Sequence, residues 1–250
     1  MRIVISKTAE ELGRKAASDA AKAINQAIDE KGSARILLST GASQFTTIEA
    51  LLEEDIAWSK VEMFHLDEYV GLDETHKASF RKYLKERFTS LIDIKKAHFV
   101  NGEGDINKNI SMLTEAIRKE PIDVALIGIG ENAHIAFNDP PANFDTKDAY
   151  IVVELDDTCK MQQVGEGWFE TIDDVPKKAI TMTVHQIMQS KKIISCVPYK
   201  QKAKAVKDTI ENDVTNMIPA TMLKKHGDWT LYLDEDSASL LSDEDRELYS

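Results

Sequence analysis

An acid, an amide, an imidazole and a second acid share one short stretch: Glu131, Asn132, His134 and Asp139, closed by Pro140-Pro141. Histidine changes charge near neutral pH, and a neighbouring carboxylate orients its ring, so this grouping suits proton transfer. A second pair of acids, Asp67-Glu68, lies far upstream. Two adjacent carboxylates at the carboxyl end of a strand would lie where a substrate sits. A third cluster, Ser39-Thr40-Gly41-Ala42-Ser43, precedes a helix start. Backbone N–H groups and the helix dipole make such a turn an anion site. Lys200, Lys202, Lys204 and Lys207 gather about the start of a later helix, where cations oppose the dipole and favour a bound anion. Taken singly, each has a plainer alternative: a hydrogen-bonded loop histidine, solvated acids, Gly and Ser serving turn geometry, a solvated basic face.

The elements around these residues argue for a site. Val124 to Ile129 is an unbroken apolar run, as expected of a strand covered on both faces in a parallel sheet. It delivers Glu131, Asn132, His134 and Asp139 to its own carboxyl end, where open α/β sheets bind ligands. Ala34–Leu38 similarly leads into the Ser39–Ser43 turn, and Lys60–Leu66 into Asp67-Glu68-Tyr69. Helices are expected over Glu10–Glu30, from about Thr46, over Phe80–Leu91, Ile106–Lys119 and Gln201–Glu211, from apolar residues at helical spacing. Thr8 ahead of Glu11 has capping-box spacing. Further strands are expected at Ala97–Val100, Tyr150–Leu155, Lys192–Val197 and Trp229–Leu233, with the second part of Val175–Ser190 helical. The alternation predicts an α/β fold with an open, mainly parallel, doubly wound sheet and helices on both faces. We read residues 1–250 as one domain, with a polar excursion at 156–180 as a lid and the acidic tail to Ser250 as surface.

The 250 residues carry a net charge of −12, which argues against a nucleic-acid surface. A chain this acidic that binds an anion must concentrate positive potential locally. No run reaches the roughly 18 apolar residues of a membrane span. Cys159 and Cys196 are the only cysteines, so neither a disulfide framework nor a Cys-based metal site is expected. The N-terminus reads as a first strand rather than a signal peptide, which makes the cytoplasm the default location.

Several stretches together resemble the glucosamine-6-phosphate deaminase (isomerase) family: Leu38-Ser39-Thr40-Gly41, Phe64 through Leu72, Gly128 through Pro140, Val175 through Thr181, and Gln201-Lys202-Ala203. The resemblance implies a modified Rossmann-type sheet. The implied reaction opens the ring of an amino-sugar phosphate, isomerises aldose to ketose and releases ammonia, converting glucosamine 6-phosphate to fructose 6-phosphate. It implies no metal or organic cofactor, and a possible homo-oligomer. By resemblance, His134 opens the ring with Asp139 orienting it, Asp67 moves the proton between C2 and C1, and the phosphate lies on Ser39, Thr40, Gly41, Ala42 and Ser43 with Lys202 as its cation.

Two departures stand out. The family usually has aspartate where this chain has Asn132, with an acid one residue earlier at Glu131. A lid arginine is absent, with Lys160, Gln162, Gln163 and Glu166 in its region. The residues that allosteric members use after the Asn-Asp-Pro segment are also missing, so activation by N-acetylglucosamine 6-phosphate is not expected. Alternatives are a galactosamine-6-phosphate deaminase, a 6-phosphogluconolactonase-like hydrolase on the same fold, and a sugar-phosphate sensor with impaired catalysis.

Overall fold

The structure, a computed structural model, describes residues 1–248. Strand β1 (Arg2–Ser6) leads into helix α1 (Ala9–Lys31), whose Thr8 hydroxyl accepts the Glu11 N–H at 3.2 Å. Then follow β2 (Ala34–Leu38), α2 (Phe45–Leu52), β3 (Val61–His65), β4 (Asp67–Tyr69), α3 (Phe80–Leu84), β5 (Lys96–His98) and α4 (Ile106–Ile117). The second half comprises β6 (Val124–Leu126), β7 (Tyr150–Glu154), α5 (Asp157–Gly165), β8 (Lys178–Met182), α6 (Val184–Ile187), β9 (Lys192–Val197), α7 (Ala203–Glu211), β10 (Trp229–Asp234) and α8 (Asp243–Leu248). The acidic tail expected at the surface thus contains α8, and its last two residues lie outside the described part.

Seven strands form one sheet in the order β1-β10-β9-β6-β2-β3-β5, every pair parallel. This is the doubly wound α/β architecture expected from the sequence. Strands β2 and β6 are buried along their whole length, because helices cover both faces. One core layer packs Ile36, Leu38 and Val124 against α1 and α2; the other packs Leu37, Ala125 and Ile127 with α4 and α7. Gly13 lets α1 approach α2: a Cβ there would fall 2.7 Å from the Thr46 carbonyl oxygen. From β2 the chain moves outward to β3, whereas from β6 it moves the other way to β9. The crevice between β2 and β6 is therefore a topological switch point.

The expected strand at Tyr150–Leu155 exists but does not join the parallel sheet. Strands β4, β8 and β7 form a separate three-stranded antiparallel sheet, and β8 falls in a segment read only as leading into a helix. In strand β7 only Tyr150 is buried, and beyond it half-buried Ile151 and Val153 alternate with exposed Val152 and Glu154, as antiparallel strands with one wet face do. Its sequence, Tyr-Ile-Val-Val-Glu, hides that alternation because apolar residues occupy the accessible positions too. The helix expected over Phe80–Leu91 is also divided, α3 continuing as a wider π-type turn over Lys85–Thr89. The late helix begins at Ala203, after a short 3₁₀ turn over Lys200–Lys202.

Candidate active site

The carboxyl ends of β2, β3, β6 and β9 surround one cavity of about 150 Å³. Its wall includes Ser39, Thr40, Gly41, Ala42 and Ser43 after β2, Asp67 at the start of β4, Gly128 through Glu131 and His134 after β6, and Lys202 before α7. Four groups far apart in sequence are thereby brought to one place.

The turn after β2 is fixed from behind. Ser39 N–H donates to the Leu126 carbonyl at 3.0 Å, and Gly128 N–H donates to the Ser39 hydroxyl at 3.1 Å, which ties the two sides of the switch point together. Gly41 has φ of 104°, a region in which glycine is favoured. The Tyr83 hydroxyl donates to its carbonyl at 3.1 Å. Gln44, almost inaccessible, donates its amide to the Cys196 carbonyl and the Ser43 hydroxyl, both at 3.0 Å. The chain then enters 3₁₀ and α-helix from Ala42 onward, where the leading N–H groups have no intrahelical acceptor and can meet an anion.

Of the lysines near α7, only Lys202 lines the cavity. It is 7% exposed. Burial pulls its ammonium below the ordinary lysine range, while Glu166 and Glu131 favour its charge. Lys204 instead pairs with Asp208 and Lys207 with Glu211 along the outer face of the helix.

The imidazole is held by two partners. His134 Nδ1 lies 2.6 Å from Asn132 Oδ1 and 3.1 Å from Asp139 Oδ1. Asn132 donates its amide N–H to Asp139 Oδ1 at 3.1 Å, and its own oxygen accepts the His134 backbone N–H at 3.1 Å. Both neighbours of Nδ1 are oxygen acceptors, so Nδ1 is the nitrogen that donates and Nε2 is the one left for a substrate. Burial would raise the Asp139 carboxyl, yet hydrogen bonds from His134, Asn132 and Cys159 hold it below the ordinary range. The asparagine thus does not deprive the histidine of a carboxylate, because Asp139 reaches Nδ1 directly. Gly130 lies beneath the ring: a Cβ there would sit 2.2 Å from His134 Cε1. Ala133 and Ala136 turn the loop with φ of 63° and 51°, conformations that cost a non-glycine residue about 1 kcal/mol or more.

The paired acids at the end of β3 part company. Asp67 lines the cavity at 7% exposure. Burial, with Glu68 and Asp139 nearby, pushes its carboxyl well above the ordinary range. Glu68 is fully buried on the opposite side, where it accepts from the Ser79 hydroxyl at 2.8 Å, the Arg81 N–H at 3.0 Å and the Arg81 guanidinium at 3.2 Å. It anchors the start of α3 and stays out of the cavity. Glu131 does line the cavity, but it is exposed and does not reach the imidazole.

The segment read as a lid contributes Gln162, Gln163, Glu166 and Trp168 to the wall. The Tyr69 hydroxyl donates to Gln163 Oε1 at 2.8 Å, joining this segment to the strand that carries Asp67. Phe80, Phe137, Trp168 and Tyr199 also line the cavity and were not singled out from the sequence. For Tyr199 the available signal was an aromatic residue two positions beyond the β9 strand. Among the described residues, no group of three or more His, Cys, Asp or Glu is placed to hold a metal ion, and no helix is long and apolar enough to cross a membrane.

The sequence profile described as glucosamine-6-phosphate isomerases/6-phosphogluconolactonase matches residues 7–232. A glucosamine-6-phosphate deaminase of Thermoanaerobacter sp. (strain X514) is 35% identical, the match covering 98% of this chain and 97% of that one. One from Lactobacillus delbrueckii subsp. bulgaricus is 32% identical over 96% of this chain and all of its own. A solved monomeric glucosamine-6-phosphate deaminase superposes with a TM-score of 0.88 at 32% identity, covering 96% of this chain and 100% of that chain. A 6-phosphogluconolactonase from Thermotoga maritima shares the fold, with a TM-score of 0.76 at 16% identity, covering 93% of this chain and 98% of its own. With the switch-point cavity, the profile match and full-length relatives in agreement, this chain belongs to the glucosamine-6-phosphate isomerase/6-phosphogluconolactonase family.

Proposed function

We propose that the protein is a glucosamine-6-phosphate deaminase, converting glucosamine 6-phosphate to fructose 6-phosphate and ammonia. The observation that carries this reading is one cavity with two unlike ends. One end has the Ser39–Ser43 turn and the buried Lys202; the other has His134, backed by Asn132 and Asp139, and the buried Asp67. Relatives named glucosamine-6-phosphate deaminase match along nearly the whole chain and support the same substrate.

In this reading the phosphate lies on the turn and Lys202, which orients the sugar toward the proton-transfer groups. His134 Nε2 takes the anomeric hydroxyl proton and returns it to the ring oxygen, which opens the ring. Asp67 then takes the C2 proton, leaving an enolamine across C1 and C2, and returns a proton to C1. The product is a ketimine. Water adds at C2, the C–N bond breaks, and ammonia leaves with the proton it needs. A carboxyl raised by burial is a stronger base for the C2 proton once ionised. The segment containing Gln162, Gln163, Glu166 and Trp168 serves as the lid that excludes water. All of these groups come from one chain, so a single copy suffices for turnover.

The test is coupled detection of ammonia and fructose 6-phosphate from glucosamine 6-phosphate, with galactosamine 6-phosphate and 6-phosphogluconolactone run beside it. Both products from the first substrate are expected. Lactone hydrolysis without ammonia release from either amino sugar would overturn the reading.

A further inference from the structure

Glu166 has no place in the proton transfers above, yet it lines the cavity and its carboxylate is held there. Gln162 Nε2 donates to one of its oxygens at 2.8 Å, and Trp168 Nε1 donates to the other at 3.1 Å. All three side chains belong to the cavity wall. Each oxygen keeps a lone pair for a further donor. The carboxylate also stands within electrostatic reach of Lys202, the buried cation at the phosphate end, without forming an ion pair with it among the described residues. A preorganised acid beside an anion cradle weakens binding of any bare anion there. It repels a sugar phosphate equally, unless the sugar supplies hydroxyls that donate to it. In the orientation proposed above, with His134 and Asp67 at the other end of the sugar chain, the hydroxyls nearest it are those on the carbons next to the phosphorylated end.

We propose that Glu166 is a specificity-determining residue that accepts a hydrogen bond from a sugar hydroxyl beside the phosphate and disfavours phosphate compounds lacking one. The proposal rests on the deaminase reading for the direction in which the substrate lies. Selectivity of this kind arises when a polar group is left unpaired by the wrong ligand.

The experiment is calorimetric titration of wild type, Glu166→Gln and Glu166→Ala with two probes. One is inorganic phosphate. The other is glucitol 6-phosphate, an open-chain polyol that has no carbonyl and cannot react. Glu166 is exposed, so both variants keep the fold. Both variants are expected to bind inorganic phosphate about threefold to tenfold more tightly, the effect of removing one like charge at a partly solvated site. Glu166→Ala is also expected to bind glucitol 6-phosphate no more tightly than wild type does, so that the preference for sugar phosphate over phosphate falls about threefold to tenfold. A preference unchanged within about twofold in both variants would overturn the proposal. Failure of the deaminase reading would show separately, as absence of ammonia release by the wild type, while the phosphate titration still reports the charge effect of Glu166.

Discussion

Asp123 and Asp67 are nearly inaccessible, at 5% and 7% exposure, and stand at opposite ends of the central sheet. Asp123 precedes β6 at the amino end. It pairs with Lys31 and Lys191, both at 2.9 Å, and accepts the Arg35 N–H at 2.8 Å. Burial would raise its carboxyl, but those partners hold it below the ordinary range. Asp67 follows β3 at the carboxyl end. The charges that act on it are Glu68 and Asp139, and its carboxyl is pushed up. The burial is similar and the pairing opposite. At the amino end charges are neutralised within the fold. At the carboxyl end an acid and Lys202 are both left short of partners, a condition that a substrate with a mobile proton at one end and a phosphate at the other can relieve.

The contrast is open to direct tests. The largest effect is expected from Asp67→Asn, which should lower kcat by about a hundred- to ten-thousand-fold and leave glucitol 6-phosphate binding near the wild-type value. Its sign on stability is opposite to that on activity. With a raised native pKa, Asp67 ionises at a cost to the fold, so its contribution falls as pH rises from about 4 toward the native value. At neutral pH the variant should melt about 2 °C or more above wild type. A fall in melting temperature at pH 7 would sink the claim that this acid is held against its preference.

Gly130→Ala should come next. The added methyl occupies the space of the imidazole, so ring-opening is expected to slow by about a hundredfold, with a smaller loss on substrate presented in the open-chain form. Equal losses on both forms would remove His134 from the ring-opening step.

Asp123→Asn should do the reverse of Asp67→Asn. Activity is expected to stay within about twofold of wild type, while stability at pH 7 falls by about 1–3 kcal/mol, the cost of losing a buried acid from its cations. A lowered native pKa stabilises above the unfolded value and is lost as pH falls through the native one, so the deficit should shrink below about pH 4. A deficit that persists unchanged at pH 3 would refute the pairing account. The smallest effect is expected from Ala133→Gly. Release of the positive-φ strain should add up to about 1 kcal/mol in chemical denaturation, with activity retained.

Much of this contrast was legible in the sequence. Unbroken apolar runs gave the parallel strands, and their polar ends supplied Ser39–Ser43, Asp67 and His134. What periodicity could not separate was Asp67 from Glu68, since the face each takes depends on β4 pairing with β8, a contact more than 110 residues away in the chain. The fate of Asn132 was hidden for a related reason. Whether an asparagine isolates the histidine depends on where Asp139 lies, and that is set by the turn through Ala133 and Ala136. The Asp123 cluster was not anticipated, because Lys31, Asp123 and Lys191 meet only after the sheet has formed.

The short strand β4 also bears on how such a chain can change over generations. Its register is fixed on both sides of Asp67: Met182 N–H donates to the Leu66 carbonyl at 2.7 Å, and Val70 N–H to the Lys178 carbonyl at 2.9 Å. Successive residues of a strand face opposite ways, so losing or gaining one residue between Leu66 and Tyr69 would turn Asp67 away from the cavity. The loop from Gly71 to Ala78 carries no strand register, but Leu72 and Ala78 are buried and Gly71 N–H donates to the Gly102 carbonyl at 2.7 Å, so its ends are held as well. A change of one residue is therefore excluded beside Asp67, and length variation among descendants of this chain should collect instead in the accessible middle of that loop, between Leu72 and Ala78.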